Sequence, residues 1–180
     1  MFKRNFLVFT LVFCLFLTSC VSKAAGLLPY SDIKDGYSFL YPGGWQQKML
    51  KGGPDVLFQD IIELSENVSV VIGQLNSVKQ LAEIGTASDV GLRLAQKVIA
   101  PPESGRSAEL ITAEQRENKG KTYYLLEYAT RLANGSKRHD LVSVTTGKSG
   151  LYTMSVSTPE SRWPRVKELF YRVAESFTVR

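Results

Sequence analysis

The chain has 180 residues, 22% charged and 44% hydrophobic, a formal charge of +5 at pH 7, one histidine and two cysteines. That is the length of one ordinary domain with apolar material for a full core. The excess charge is too small and too scattered for a nucleic-acid partner, because no basic run interleaves with aromatics. Both cysteines, Cys14 and Cys20, lie near the N-terminus, so thiol catalysis, disulfides and cysteine metal sites are excluded from everything that follows.

Lys3 and Arg4 open a segment that is apolar from Phe6 to Leu17 apart from Thr10 and Cys14. It is shorter than the roughly 20 apolar residues of a membrane span and reads as an export signal. It ends in Leu17-Thr18-Ser19-Cys20, which resembles a bacterial lipobox, where the cysteine thiolate accepts a diacylglycerol and becomes the new N-terminus. The plainer alternative is a secretory signal cleaved near Ala24-Ala25, with Cys20 incidental. The organisation expected is a lipoprotein signal over 1–19, a lipidated cysteine and short tether over 20–29, and one domain over 30–180. The signal carries two basic and no acidic residues, so its removal leaves a charge of +3, which suits an anionic protein or lipid surface.

The domain opens on Asp35-Gly36-Tyr37-Ser38-Phe39-Leu40-Tyr41-Pro42-Gly43-Gly44-Trp45. Alternation of Tyr37, Phe39 and Tyr41 predicts a strand, and Pro42-Gly43-Gly44 ends it. Trp45 begins an extended run to Lys51. After a break at Gly52-Gly53-Pro54, Val56, Phe58 and Ile62 continue the meander. Val68–Leu75 is β-branched and predicts a buried strand. Ser77 is placed to cap a short turn through Leu81 and Ile84, ended by Gly85. Thr86 or Ser88 is placed to cap a longer helix with Val90, Leu94 and Val98 on one face, Arg93 and Lys97 in solvent, and a stop at Pro101-Pro102.

Beyond a polar loop at Glu103–Ser107, four antiparallel strands are expected over 108–117, 121–132, 138–146 and 151–157. Asn118-Lys119-Gly120, Asn134-Gly135 and Gly147–Gly150 supply the turns between them. Their alternation predicts a sheet with one face covered by helices and the other more polar. The last helix has Ser161 to cap it, Pro164 in its first turn, and Val166, Leu169, Phe170, Val173 and Phe177 on one face.

Chemistry-bearing residues are few. His139 stands between Arg138 and Asp140 at the start of a strand. Adjacent strand residues face opposite ways, so His139 and Asp140 cannot hold one ion without help, for which Glu127 or Glu114 on neighbouring strands are candidates. The alternative is a histidine that secures a loop or a partner contact through hydrogen bonds. Asp32, Asp35, Asp55 and Asp60 lack the alternation of a calcium loop and read as turn formers. No serine sits in a nucleophile elbow and no glycine-rich loop has phosphate-binding spacing, so a binding module is favoured over an enzyme.

The opening segment, its continuation Gly53–Phe58, then Arg138-His139-Asp140-Leu141, Gly150-Leu151-Tyr152, Arg162-Trp163 and Ser176-Phe177 together resemble the PsbP family of extrinsic photosystem II proteins. The likeness runs from about Tyr30 to the C-terminus. It implies an α+β fold, an α/β/α sandwich around an antiparallel sheet with a C-terminal amphipathic helix. It also implies a non-catalytic monomeric domain on the lumenal side of the thylakoid membrane, touching photosystem II core subunits near the water-oxidising cluster. His139 falls on the family's histidine, which makes it, with Arg138 and Asp140, the first candidate for a partner or metal contact. Calcium, zinc and manganese are the candidate ions, and calcium is the ion whose retention the plant members assist. Plant members have a longer N-terminal segment and no lipid anchor. The lipobox at Cys20 and the short tether resemble instead the cyanobacterial lipoprotein form, whose role lies in assembly or stabilisation of the oxygen-evolving complex. The rival reading is a membrane-anchored metal-binding lipoprotein not tied to photosystem II.

Overall fold

A computed structural model describes residues 26–75, 77 and 80–180. The signal segment, Cys20 and most of the tether therefore lie outside the described residues. The order is β1 (Leu27–Asp32), β2 (Tyr37–Pro42), β3 (Gln46–Lys48), β4 (Val56–Gln59), β5 (Asn67–Gly73), α1 (Leu81–Ile84), α2 (Ala87–Leu94), β6 (Ser107–Asn118), β7 (Lys121–Arg131), β8 (Lys137–Gly147), β9 (Gly150–Pro159), α3 (Trp163–Glu175) and β10 (Thr178–Val179). Seven strands form one antiparallel sheet in the order β3-β4-β5-β9-β8-β7-β6, and β1-β2-β10 form a second, smaller sheet.

Both faces of the large sheet carry helices, which differs from the one-sided cover read from the alternation. The reason is visible in β7, where Tyr123 and Leu125 are buried on one face and Tyr124, Leu126 and Tyr128 on the other. A strand apolar on both sides needs two covers. On the first face α3 and the small sheet pack over Val68, Val70, Leu141, Met154 and Val156. On the second, α1 and α2 pack over Leu126, Tyr128, Val142 and Val144. On the second face β5 and β9 turn polar residues outward beside the helices.

The opening aromatics build the first cover. Tyr41 stacks on Phe58 with centroids 4.0 Å apart, Phe39 meets Phe58 edge-on at 6.0 Å, and Trp45 meets Phe170 edge-on at 6.0 Å. The extended run after Trp45 is shorter than read, reaching only Lys48, and β4 stops at Gln59. Ile62 is therefore not a strand residue; it sits in the β4–β5 loop, 89% exposed.

Helix starts also differ in part. Thr86, not Ser88, caps α2: its side chain accepts from the Asp89 amide and Asp89 accepts from the Thr86 amide, a capping box. Ser77 caps nothing, since α1 begins at Leu81 after Gln80. After Leu94 the helix widens into a π turn over Ala95–Ile99, closed by Ala100 N–H to Ala95 O at 2.8 Å. The extra residue in that turn rotates Val98 off the apolar stripe, leaving it 56% exposed. Ser161 lies inside a short 3-10 turn, Glu160–Arg162, and makes no capping bond; that turn leads directly into α3.

The β8–β9 turn depends on Gly150, whose φ is +132° and whose missing Cβ would drive into the Gly73 carbonyl oxygen on β5. Gly150→Ala is expected to cost at least about 2 kcal/mol, read as a lower midpoint in urea unfolding. Gly135→Ala, with φ +83° but open space around it, should cost less.

Candidate functional site

The strand start at His139 is where the chain collects its buried charges. His139 is on the face of β8 that meets α3, opposite Ala129, and Glu127 lies two residues along β7 on the same face. The imidazole Nε2 is 2.7 Å from Glu127 Oε1, and Nδ1 is 3.0 Å from Glu160 Oε2. The ring lies flat on Trp163 of α3, with centroids 3.9 Å apart and planes 12° from parallel. Tyr171, two turns further along α3, donates its hydroxyl to Glu127 Oε2 at 2.7 Å. Each ring nitrogen thus has a carboxylate partner of its own.

Burial by itself works to raise the Glu127 carboxyl. The hydrogen bonds from Tyr171 and His139, with the charges of His139 and Lys167, outweigh it and hold the group below its ordinary range. Tyr171 is pushed up in turn, first by burial and then by its bond to Glu127. These five side chains fasten α3 to the sheet.

Asp140 faces the other way, as alternation requires, and accepts from the Ser157 hydroxyl on β9. Arg138 donates from Nη2 to the Ser65 carbonyl at 2.6 Å. Of the three neighbours read as a site, only Arg138 and Asp140 line the same space. Glu127 is the carboxylate that reaches His139; Glu114 is not among its partners.

The ring of His139 does not fit a metal. Each nitrogen is spent on a different carboxylate, so the three groups do not converge on one ion. The oxygens that converge are elsewhere: one from each of Asp32, Asp35 and Asp55 lie within 4.8 Å of one another. Asp32 does form a turn, accepting the Asp35 amide at 2.8 Å, and Asp60 forms another with the Ile62 amide at 3.0 Å. Asp55 accepts from the Tyr37 hydroxyl, which raises that phenol after burial has already done so. No local pattern could have joined Asp55 to the other two, because the contact exists only once the two sheets pack.

On the second face, a groove of about 530 Å³ runs between the polar strands and the helices. Its floor is Asn67, Ser69, Thr153, Ser155 and Ser157; its wall is Leu94, Val98 and Ile99. Arg106, Thr130 and Arg138 close one end. The Thr130 hydroxyl is buried without a hydrogen-bond partner, and among the described residues neither arginine has a carboxylate within 4.0 Å. Alternation in β9 foreshadowed its part of the polar floor, whereas β5 was read as a buried strand and turns Asn67 and Ser69 into the groove. The two arginines were legible only as isolated charges.

Comparison with known proteins places this fold in a family. The PsbP family model matches residues 25–179, and the chain belongs to that family. It is 45% identical to CyanoP of Thermosynechococcus vestitus, over 99% of this chain and all of that protein. It is 48% identical to CyanoP of Synechocystis sp. PCC 6803, over 94% of this chain and 93% of that one. The solution structure of the Synechocystis protein superposes with a TM-score of 0.74, covering 91% of this chain and 99% of the other.

His139→Ala leaves the buried Glu127 Oε1 without its hydrogen-bond partner and should cost about 3 kcal/mol in urea unfolding. Glu160→Gln, at a side chain 41% exposed, should cost less than about 1 kcal/mol. Because Glu127 is held below its ordinary value of about 4.5, its contribution is present above that pH and is lost as pH falls through the folded-state value. The stability gap between the native chain and Glu127→Gln should therefore be open at neutral pH and close on acidification. A gap that widens in acid contradicts the assignment.

Proposed function

We propose that this chain is a non-catalytic extrinsic protein, anchored through Cys20 on the lumenal side of the thylakoid membrane. There it docks on photosystem II core subunits and assists assembly or stabilisation of the oxygen-evolving complex. The observation that carries the reading is the PsbP fold with an open groove ended by Arg106, Arg138 and an unpartnered Thr130. Converging acid and base groups of the kind an active site needs are not found among the described residues lining it. An extended lumenal segment bearing a carboxylate fits that groove: apolar side chains against the helix wall, polar backbone against the Ser and Thr floor, and the carboxylate at Arg106 and Arg138. His139 supports this site from behind by holding α3 and the start of β8 in place.

No helix among the described residues is long and apolar enough to cross a membrane. On this reading the acyl chains at Cys20 provide the attachment. A lipoprotein carries several such chains, which suffices for stable anchoring, and confinement to one membrane face raises the effective concentration at a membrane partner. A weak docking surface is then enough.

Affinity purification of the tagged protein from thylakoids should recover photosystem II core subunits or their assembly intermediates. Arg106→Glu should reduce that recovery at least tenfold, and Cys20→Ala should release the protein on a salt wash. Recovery of no core subunit would sink the reading. The rival, a metal-binding lipoprotein, predicts saturable calcium binding that is lost in Asp55→Asn and unaffected by His139→Ala.

A further inference from the structure

Between β4 and β5, Ile61, Ile62 and Leu64 are 52, 89 and 62% exposed. The loop that shows them is not slack. The Asp60 amide bonds the Glu66 carbonyl at 3.1 Å, and the Glu66 amide bonds the Glu63 carbonyl at 2.8 Å. Arg138 holds the Ser65 carbonyl, while the Glu66 side chain is buried against Arg162 at 2.6 Å and Thr158 at 2.7 Å. A neck fastened in this way presents three aliphatic side chains to solvent and prevents them from folding back. Exposed apolar surface of that kind on an ordered loop marks contact with an apolar partner.

The position of the loop says which partner. Gln59, where β4 ends, pairs with Gln46 of β3. One tight turn before Gln46 is Pro42, which pairs with Leu27, and the Gly43 amide bonds the Gly26 carbonyl at 2.9 Å. The chain thus enters the domain at the same end of the fold as loop 60–66. From Cys20 to Gly26 the chain reaches at most about 20 Å. The opposite tip of the β1–β2 hairpin, with Ile33, lies a further six-residue strand away, about 20 Å.

We propose that loop 60–66 is a membrane-contact element. Ile61, Ile62 and Leu64 seat in the interfacial layer of the bilayer that holds the Cys20 anchor, and they orient the domain with its His139 end toward the membrane. The proposal rests on the lipid-anchor reading above. Asp60, Glu63 and Glu66 in the loop face Arg138 and Arg162 at its neck, so the contact is apolar rather than a basic patch on anionic lipid. In this orientation the Asp32, Asp35 and Asp55 end points into the lumen. The Arg106–Arg138 end of the groove lies nearest the membrane, where lumenal segments of an embedded partner emerge.

The domain contains no cysteine of its own, which allows a direct test on the full, acylated chain. Ile62→Cys and, separately, Ile33→Cys are labelled with a small fluorophore and reconstituted on vesicles of thylakoid lipid carrying nitroxide quenchers on the acyl chains. The Ile62 label should be quenched at least threefold more than the Ile33 label. Equal quenching at the two positions, or more at Ile33, on vesicles that carry the protein overturns the orientation. Protein that fails to float with the vesicles overturns the anchor, and this proposal with it, so the two failures are read separately.

Discussion

The fold turns on strands β7 and β8 being apolar on both faces. Tyr123 and Leu125 point one way, Tyr124, Leu126 and Tyr128 the other, and Leu141 is set against Val142 in the same manner. Leaving either face wet would expose several large side chains, each worth about 1.5–3 kcal/mol of burial. Two covers are therefore required, and they come from different parts of the chain. The N-terminal hairpin with α3 supplies one, and the short helical segment between β5 and β6 supplies the other. That second segment is too short to span seven strands. Where it ends, β5 and β9 turn Ser69, Thr153 and Ser155 outward, and the groove is the space left beside it.

Charge is concentrated at one end of this arrangement. Glu66 with Arg162, and Glu127 with His139, are buried or half-buried pairs, the first joining the start of β5 to the turn before α3 and the second joining neighbouring strands β7 and β8. Such pairs are poor sources of net stability but strict about geometry, since separating them strands a charge in a low-dielectric site. They tie the His139 end together, and Arg138 bonds the Ser65 carbonyl at the neck of the β4–β5 loop. Arg138 and the apolar loop lie at the same end as these buried pairs, while Asp32, Asp35 and Asp55 sit at the other end.

Much of this was legible from residues alone, and some was not. The aromatic strand Tyr37–Tyr41 and the Asn134-Gly135 hairpin are local signals with local causes, and they appear in the structure as such; of the two caps read for α2, Thr86 and Ser88, the structure uses Thr86. Val98 obeyed the helical period yet ended in solvent, because a π turn is decided by how α2 lies on β6 and not by the composition of the turn. Ile62 obeyed the strand period yet lies in a loop, because β4 ends where its neighbour β3 runs out of partners. His139 was identified, but its partners Glu160 and Trp163 belong to a segment more than 20 residues away that no periodicity links to it.

The sequence by itself determined the family, most of the strands and their turns, and the thiol-free domain, because each of these is written in short spans of neighbouring residues. Only the tertiary structure decided that His139 is a clamp between two carboxylates, that Asp55 meets Asp32 and Asp35, and that the helical cover stops short of β9 and β5. It alone placed an apolar loop at the end where the chain enters. Those outcomes depend on which layers touch, and contact between layers is a property of the packed chain, where burial and charge are settled together.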